Sequence, residues 1–598
     1  MKFNNRIYDV HKVDNFRDLI NATVERFGDN IAYKFKRNLG KSDEHIVEKT
    51  YKQIKKEVEG FSTALLNLGL ENKKVVIISN NRYEWCVSYL AITTGNMIAV
   101  PLDKALQEGE IRNLIQTSNA DIVIFEDKFA KIFKNIKEEK ISNLKVFINM
   151  DLEEEQDGVL SFAELTKNGC ELINQGDDKY SKIIMDDNKL SVLLFTSGTT
   201  SKPKGVMLSQ RNICSNITAI SSMAILQPED VLLSFLPLHH TFECTITFLY
   251  GFYRGVTVAF CDGLKYIAKN LVDYKVSVIV AVPLVLEAMY KKIEIGIEKQ
   301  GKTNLVKTMG KISNFLYKNL HIDIRRKLFK SVLNQLGGSV RLLYFGAAAM
   351  NKDVIDGYNT FGIQTVQGYG LTETSPVVAA ETDKQKCPGS VGRNPYNVEI
   401  KIVDEDGNEI GLARKDEDIE LKTDEENKIG EILVKGPNVM LGYYENEEAT
   451  KEVLQDGWLY TGDLGYFNKD GFLFITGRKK EVIVLKNGEN VYPTDIEFLV
   501  NRLPYVTESI LFPRKNSKNE IALGIKIVYD EEQLQEKFGN KREKEYKDLI
   551  WEDIKEINQT LPVFKRIKEL MITQEPLEKT TTQKIKRFIE IDKILKSK

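Results

Sequence analysis

From about residue 74 the chain repeats one theme: a short apolar run, a turn, then a segment whose apolar positions recur at helical spacing. Residues 75–78, 98–102, 121–125 and 144–150 read as strands, with residues 108–117 and 128–136 between them as helices. This alternation predicts parallel sheets covered by helices. Residues 276–282, 341–345 and 363–367 continue it as further strands. The distinctive residues lie in the loops after these strands, as expected where ligands bind beyond the carboxyl ends of a sheet. After Gly477 the pattern changes. Residues 493–503 read as a helix, 506–512 and 521–528 as strands around a polar turn, and 546–558 as a charged helix. The expected fold is α/β: a large N-terminal domain of mostly parallel, helix-covered sheets (residues 1–477), then a small mobile α+β domain (residues 478–598) of about 120 residues.

Composition narrows the function classes. A chain of 598 residues buries a large core without disulfides or metals. Lys plus Arg at 84 against Asp plus Glu at 86 leaves a net charge of -2, which gives no support to nucleic-acid binding. Six cysteines stand far apart with no C-x-x-C pair, so no zinc site or disulfide framework is indicated and a cytoplasmic location is expected. The N-terminus lacks an apolar signal core, and the longest apolar stretch, 276–286, is broken by Ser277 and Pro283 and too short to span a bilayer. Residues 291–330 hold eleven Lys or Arg and three acids, with Leu316, Leu320, Ile324 and Leu328 at helical spacing. A solvated helical face is the simpler reading there, and peripheral contact with an anionic membrane at the inner membrane face is the other. The acidic run 415–427 reads as a solvated loop.

The segment 193–212, LLFTSGTTSKPKGVMLSQRN, runs an apolar strand into a loop rich in hydroxyls and glycine. Thr196, Ser197, Thr199 and Thr200 supply donors, Gly198 and Gly205 let backbone N–H groups approach anionic oxygens, and Lys202 and Lys204 supply positive charge. That chemistry suits a polyphosphate. The glycines are spaced too widely for a Walker loop, and Gly205 leads into Val206-Met207-Leu208 rather than a helix. On composition alone such a loop is more often an ordinary surface turn; the order of residues decides.

As written, TSGTTSKPKG resembles the signature of the AMP-forming adenylate synthetases, which include acyl-CoA synthetases, firefly luciferase and peptide-synthetase adenylation domains. Further matching segments follow in order: QGYGLTETSP at 367–376, YTGDLG at 460–465, GRKKE at 477–481 and TTTQKIKR around Lys584. LPLHHTFE (236–243) and NGENVYPTDIE (487–497) look most like the bacterial long-chain fatty acyl-CoA synthetases. The resemblance covers nearly the whole chain. It implies a fatty acid–CoA ligase that uses ATP, Mg²⁺ and coenzyme A: carboxylate and ATP give acyl-AMP and pyrophosphate, and the coenzyme A thiol then displaces AMP.

By the same resemblance, the loop from Thr196 to Thr200 and Lys204 wraps the β- and γ-phosphates. Glu373, with Thr196 beside it, holds Mg²⁺. Thr372 faces the α-phosphate, and Tyr369 stacks on adenine within a nucleotide wall of Gly346, Ala347, Gln367, Gly368 and Gly370. Asp463 accepts from both ribose hydroxyls, Arg478 adds a charged contact, and Lys584 bridges the substrate carboxylate and α-phosphate. Lys480 matches the hinge and Gly488 the thioester-forming pose. His240, Phe242 and Ala348 face the acid, His240 at the acyl entrance and His239 as its surface neighbour. The chain departs from the family in Ala347, where a second glycine is common, and in Gln583, where glycine often precedes the lysine. Two rival readings remain. One is an enzyme that stops at acyl-AMP or passes the acyl group to a carrier-protein thiol. The other is a non-catalytic acyl-nucleotide-binding scaffold, against which the joint presence of Glu373, Asp463, Arg478 and Lys584 argues.

Overall fold

The computed structural model describes residues 7–139, 143–196, 203–224, 226–348, 350–415, 419–423, 425–485, 489–515, 521–579 and 585–596. The chain divides into two compact units. The first comprises residues 1–400, 413–418 and 434–459; the second comprises residues 401–412, 419–433 and 460–598.

Two eight-stranded sheets organise the first unit. One runs, in spatial order, Val377–Ala380, Gln364–Gly370, Leu342–Phe345, Val278–Ala281, Val231–Ser234, Thr257–Phe260, Ile31–Arg37 and His45–Thr50. The other runs Gly442–Tyr443, Lys204–Ser209, Leu190–Thr196, Ile98–Pro101, Lys74–Ile78, Ile122–Phe125, Val146–Asn149 and Leu160–Ser161. Most interior pairs are parallel; the antiparallel pairs lie toward the ends of the sheets, where Lys204–Ser209 is antiparallel to both of its neighbours. Strands such as Leu342–Phe345 and Ile122–Phe125 are buried at every position, which is why their sequences are continuous apolar runs rather than alternating ones. Helices close over both faces. Tyr83–Thr94 is buried along its whole length, consistent with a sequence apolar on all sides.

The amino ends of the first sheet are braced by charge. Arg341 makes a bidentate ion pair with the buried Asp230, which also accepts from Ser277 Oγ at 2.7 Å and from the Gln227 amide at 2.8 Å. The carboxyl ends carry the loops of interest. Gly346 follows Leu342–Phe345, Leu371 follows Gln364–Gly370, and His239 and His240 lie in the loop after Val231–Ser234.

In the second unit, Val506–Lys515, Ile521–Tyr529 and Ile567–Thr573 form a three-stranded sheet. Helices Pro493–Val500 and Glu543–Thr560 share one core with it through Ile496, Val500, Ile550 and Ile554. Within the acidic run, residues 420–421 form a short strand against Gly411 and Leu412, where a loop was expected. The expected helical run through Leu316, Leu320, Ile324 and Leu328 is broken. His321, at φ 55°, ends the helix Thr303–Leu320, and a separate turn Arg325–Leu328 follows. Among the described residues no helix is long and apolar enough to cross a membrane.

Candidate active site

In the first unit, Leu190–Thr196 and Lys204–Ser209 pair antiparallel, with Thr196 opposite Lys204, so both flank the tip of the phosphate loop. Ser197, Gly198, Thr199 and Thr200 lie outside the described residues. Tyr443 pairs with Val206 on the far side of the Lys204–Ser209 strand. The Lys204 ammonium sits 4.8 Å from the Tyr443 ring centroid, and the Tyr443 hydroxyl donates to Glu373 Oε1 at 2.9 Å. The Glu373 carbonyl accepts from the Met440 amide at 2.9 Å. One tyrosine therefore joins the lysine of the loop to the expected metal-binding carboxylate 70 residues away. Sequence did not single out Tyr443; only a contact across sheets reveals it.

The turn bearing Thr372 and Glu373 is held from behind by two buried asparagines. Asn438 Nδ2 donates to the Thr374 carbonyl at 3.0 Å and to the Val377 carbonyl at 3.2 Å. Asn216 pairs with both the amide and the carbonyl of Val377 at 3.1 and 2.8 Å. The loop carrying Asn438 is fixed in turn by Asn212, which donates to the carbonyls of Pro437 and Val439 at 2.8 Å each. Asn212 also completes the capping box with Ser209 that starts helix Gln210–Met223. Gly370 is obligatory, because a Cβ there would lie 1.9 Å from the Pro376 carbonyl oxygen.

Phe345 pairs in register with Gln367, which brings the nucleotide-wall residues of two neighbouring strands together. A Cβ on Gly346 would lie 2.9 Å from the Gly368 carbonyl oxygen and 3.8 Å from the Phe242 ring, so Gly346, Gly368 and Phe242 meet at one point. Ala347 has φ 71°, the left-handed region that costs an L-residue about 1–2 kcal/mol. This explains the glycine common there in the family. Ala347 and Ala348 are exposed, and Tyr369 and Thr372 are half-buried.

His240 Nδ1 accepts from the Phe242 amide at 3.2 Å. His239 is not a surface neighbour. Its side chain is 16% exposed, with Nε2 3.6 Å from Asp103 Oδ2. Burial, opposed by Asp103 and reinforced by Lys104, lowers its pKa. Behind this segment Tyr89, Pro101, Leu194, Leu208, Ile213 and Leu238 line, with His239, a small apolar pocket. Glu243 opens the widened, π-type helix Glu243–Tyr250 and is fully buried. It accepts from Ser234 Oγ at 2.7 Å and from Thr247 Oγ1 at 2.8 Å. Burial pushes its pKa up to about 8, so at neutral pH it is mostly protonated.

In the second unit, Asp463 lies inside the strand Trp458–Phe467. It stands opposite Arg478, beside a register shift at Leu464/Gly465. Its side chain is 6% exposed, and Oδ1 lies 3.0 Å from Arg478 Nε. Thr461 Oγ1 accepts from the Asp463 amide at 3.0 Å and donates to the Ile432 carbonyl at 2.7 Å. Lys480 is exposed in the single turn Lys479–Glu481. Glu481 lies 3.5 Å from Arg587, whose guanidinium grips Glu497 through two 2.8 Å bonds. Lys584 and Gly488 lie outside the described residues.

Among the described residues no three His, Cys, Asp or Glu side chains cluster as metal ligands. A single oriented carboxylate, Glu373, suits Mg²⁺ all the same, since that ion binds through one or two carboxylates plus substrate phosphates and water.

Comparison with known proteins agrees with this architecture. The profile of the AMP-binding enzyme family matches residues 20–444, and that of the AMP-binding enzyme C-terminal domain matches residues 480–592. The long-chain-fatty-acid–CoA ligase 5 of Rattus norvegicus is 30% identical over 593 aligned residues, covering 92% of this chain and 83% of its own length. The chloroplastic long-chain-fatty-acid–[acyl-carrier-protein] ligase AEE15 of Arabidopsis thaliana is 26% identical and covers 96% of this chain and 85% of its own. The crystal structure of the anthranilate CoA ligase AuaEII with anthranoyl-AMP superposes with a TM-score of 0.74 at 19% identity, covering 99% of both chains. This chain belongs to the AMP-binding enzyme family and is an AMP-forming acid–thiol ligase.

Proposed function

We propose that this protein is a long-chain fatty acid–CoA ligase. The observation that carries the proposal is the Lys204–Tyr443–Glu373 grouping, a cation and a carboxylate held together as ATP phosphates and Mg²⁺ would require. Similarity to a long-chain-fatty-acid–CoA ligase over 92% of the chain supports the choice of acid.

A carboxylate cannot expel oxide, so the acid must first be joined to a better leaving group. In the first half-reaction the acid's oxygen attacks the α-phosphorus of ATP, the bond to the β-phosphate oxygen breaks, and pyrophosphate leaves. Thr196 and Lys204 bind the departing phosphates, and Thr372 donates to the α-phosphate. Glu373, held by Tyr443, is the carboxylate for Mg²⁺, which when bound supplies charge at the leaving group. Lys584 brings the two anions together by neutralising both. Asp463 takes the ribose hydroxyls, Arg478 supports it, and Tyr369 offers a face to adenine. In the second half-reaction the coenzyme A sulfur attacks the acyl carbon as AMP leaves, with Gly488 giving backbone room. Positioned charge carries most of the rate in both steps. The domain boundary we assign runs at residue 478, with Lys480 as the pivot.

Pyrophosphate release measured with saturated acids of graded length tests this reading. Release should depend on a long-chain acid, be abolished by Lys584→Ala, and be accompanied by loss of free thiol when coenzyme A is added. The similarity to AEE15 supports a second acceptor. Acid-dependent pyrophosphate release with coenzyme A unconsumed, and acyl transfer to a carrier protein instead, would favour it. Absence of acid-dependent release would leave the scaffold reading.

A further inference from the structure

The helix Thr303–Leu320 has two unlike sides. One packs on the core of the first unit: Val306 and Met309 contact its apolar cluster, Gly310 lies against Thr360, and Asn314 Nδ2 donates to Thr360 Oγ1 at 2.9 Å. The other side projects Leu305, Ile312 and Phe315, which are 55%, 55% and 60% exposed. Spacings of seven and three residues put these three on one arc. At the C-terminal end Leu320 and Ile322 are also exposed, at 55% and 50%. An apolar set this large, aligned and unburied is a different thing from isolated surface leucines.

Charge identifies the occupant. The helix carries Lys307, Lys311 and Lys318 and no acid. Lys311 and Lys318 stand four residues before and three residues after Phe315, on the flank of the apolar arc. From Lys302 to Lys330 the sequence has eight Lys or Arg against Asp323 alone, and that aspartate is occupied by Arg325. A second copy of this chain would bring the same lysines against themselves. A bilayer with anionic headgroups satisfies both halves of the pattern, apolar side chains entering the acyl boundary and ammonium groups reaching back to phosphates.

We infer that the outward face of Thr303–Leu320 is a docking surface for anionic membrane, with Leu305, Ile312 and Phe315 inserted and Lys311 and Lys318 on lipid phosphates. The inference stands apart from the choice of acid. It also moves the apolar membrane-facing set from Leu316, Ile324 and Leu328 to positions the linear pattern did not reveal.

Sedimentation of the full chain with vesicles of phosphatidylcholine alone, and of phosphatidylcholine with phosphatidylglycerol, tests it. Pelleting should require phosphatidylglycerol and weaken as salt rises. Phe315→Asp with Ile312→Asp should lower the partition coefficient about tenfold or more, and Lys311→Gln with Lys318→Gln should lower it and flatten the salt dependence. These side chains are exposed, so circular dichroism and acid-dependent pyrophosphate release in detergent-free buffer should stay at wild-type level. Equal binding to both vesicle types, no binding at low salt, or binding unchanged by either double variant would overturn the inference. So would a concentration-dependent dimer that disappears with Phe315→Asp.

Discussion

Tyr443 makes a sharp test of how the charged residues are organised, because removing its hydroxyl leaves the ring beneath Lys204 while freeing Glu373. A hydrogen bond to a carboxylate contributes about 1.5–3 kcal/mol, partly screened because Glu373, unlike the buried Tyr443, is partly exposed. Tyr443→Phe is therefore expected to fold normally, raise the Mg²⁺ concentration needed for half-maximal pyrophosphate release several-fold, and lower kcat/KM by about tenfold. An unchanged Mg²⁺ requirement would remove Tyr443 from the site. Glu243 offers a different test, in stability. Its pKa stands near 8 in the fold against 4.5 when free, so between those values the folded state holds a proton that the unfolded state has lost. Stability falls with pH wherever the native state binds more protons, so wild-type protein is most stable below about pH 4.5 with respect to this group and loses that contribution up to about pH 8. Glu243→Gln copies the protonated carboxyl and should flatten this part of the profile, read as thermal midpoint against pH. Parallel profiles for the two proteins would mean that Glu243 is ionised in place.

The turn 372–377 shows how an element of the site is made rigid by residues that touch no substrate. Asn438 is fully buried and donates to two carbonyls of that turn, so Asn438→Ala leaves a cavity and takes the side-chain donor from the Thr374 carbonyl, while the Val377 carbonyl keeps Asn216. A loss of about 2–4 kcal/mol is expected, with a larger fall in kcat than in substrate affinity as Glu373 loses its frame. Denaturant unfolding beside steady-state kinetics checks both; a loss confined to stability would make the asparagine purely structural. Such a clamp was not legible in the sequence, because 438 and 374 are separated by 64 residues and their pairing is decided by packing. Buried parallel strands such as Ile122–Phe125 were legible, since burial on both faces writes itself as an unbroken apolar run. What such runs leave open is the sheet each joins. Lys74–Ile78 and Val278–Ala281 look alike and belong to different sheets. Residues 316–328 misled for the converse reason: four-residue spacing continues through a point where His321 takes a left-handed conformation and stops the helix.

At the scale of the molecule, the chemistry requires a change of conformation between half-reactions. Under the proposed reaction, adenylation would place the Lys584 charge at the α-phosphate, and thioester formation would need a path for the thiol to the same acyl carbon. Within the second unit the residues after Lys480 are joined to one another by charge. Arg587 ties Glu481 to Glu497, the start of the segment to its first helix. Lys480 itself is exposed and sits in a single short turn, the position proposed as the pivot. Proline there fixes φ near −65° and removes the N–H. Lys480→Pro is therefore expected to depress one half-reaction at least about tenfold while sparing the other, read separately as acid-dependent pyrophosphate exchange and as thioester formation from supplied acyl-AMP. Glu497→Gln should act differently. By loosening Arg587 without stiffening the pivot, it should slow adenylation and leave the use of supplied acyl-AMP close to normal. Equal losses in both half-reactions for Lys480→Pro would show that residue 480 does not carry the rotation, and would move the pivot elsewhere in the segment between Gly477 and Val482.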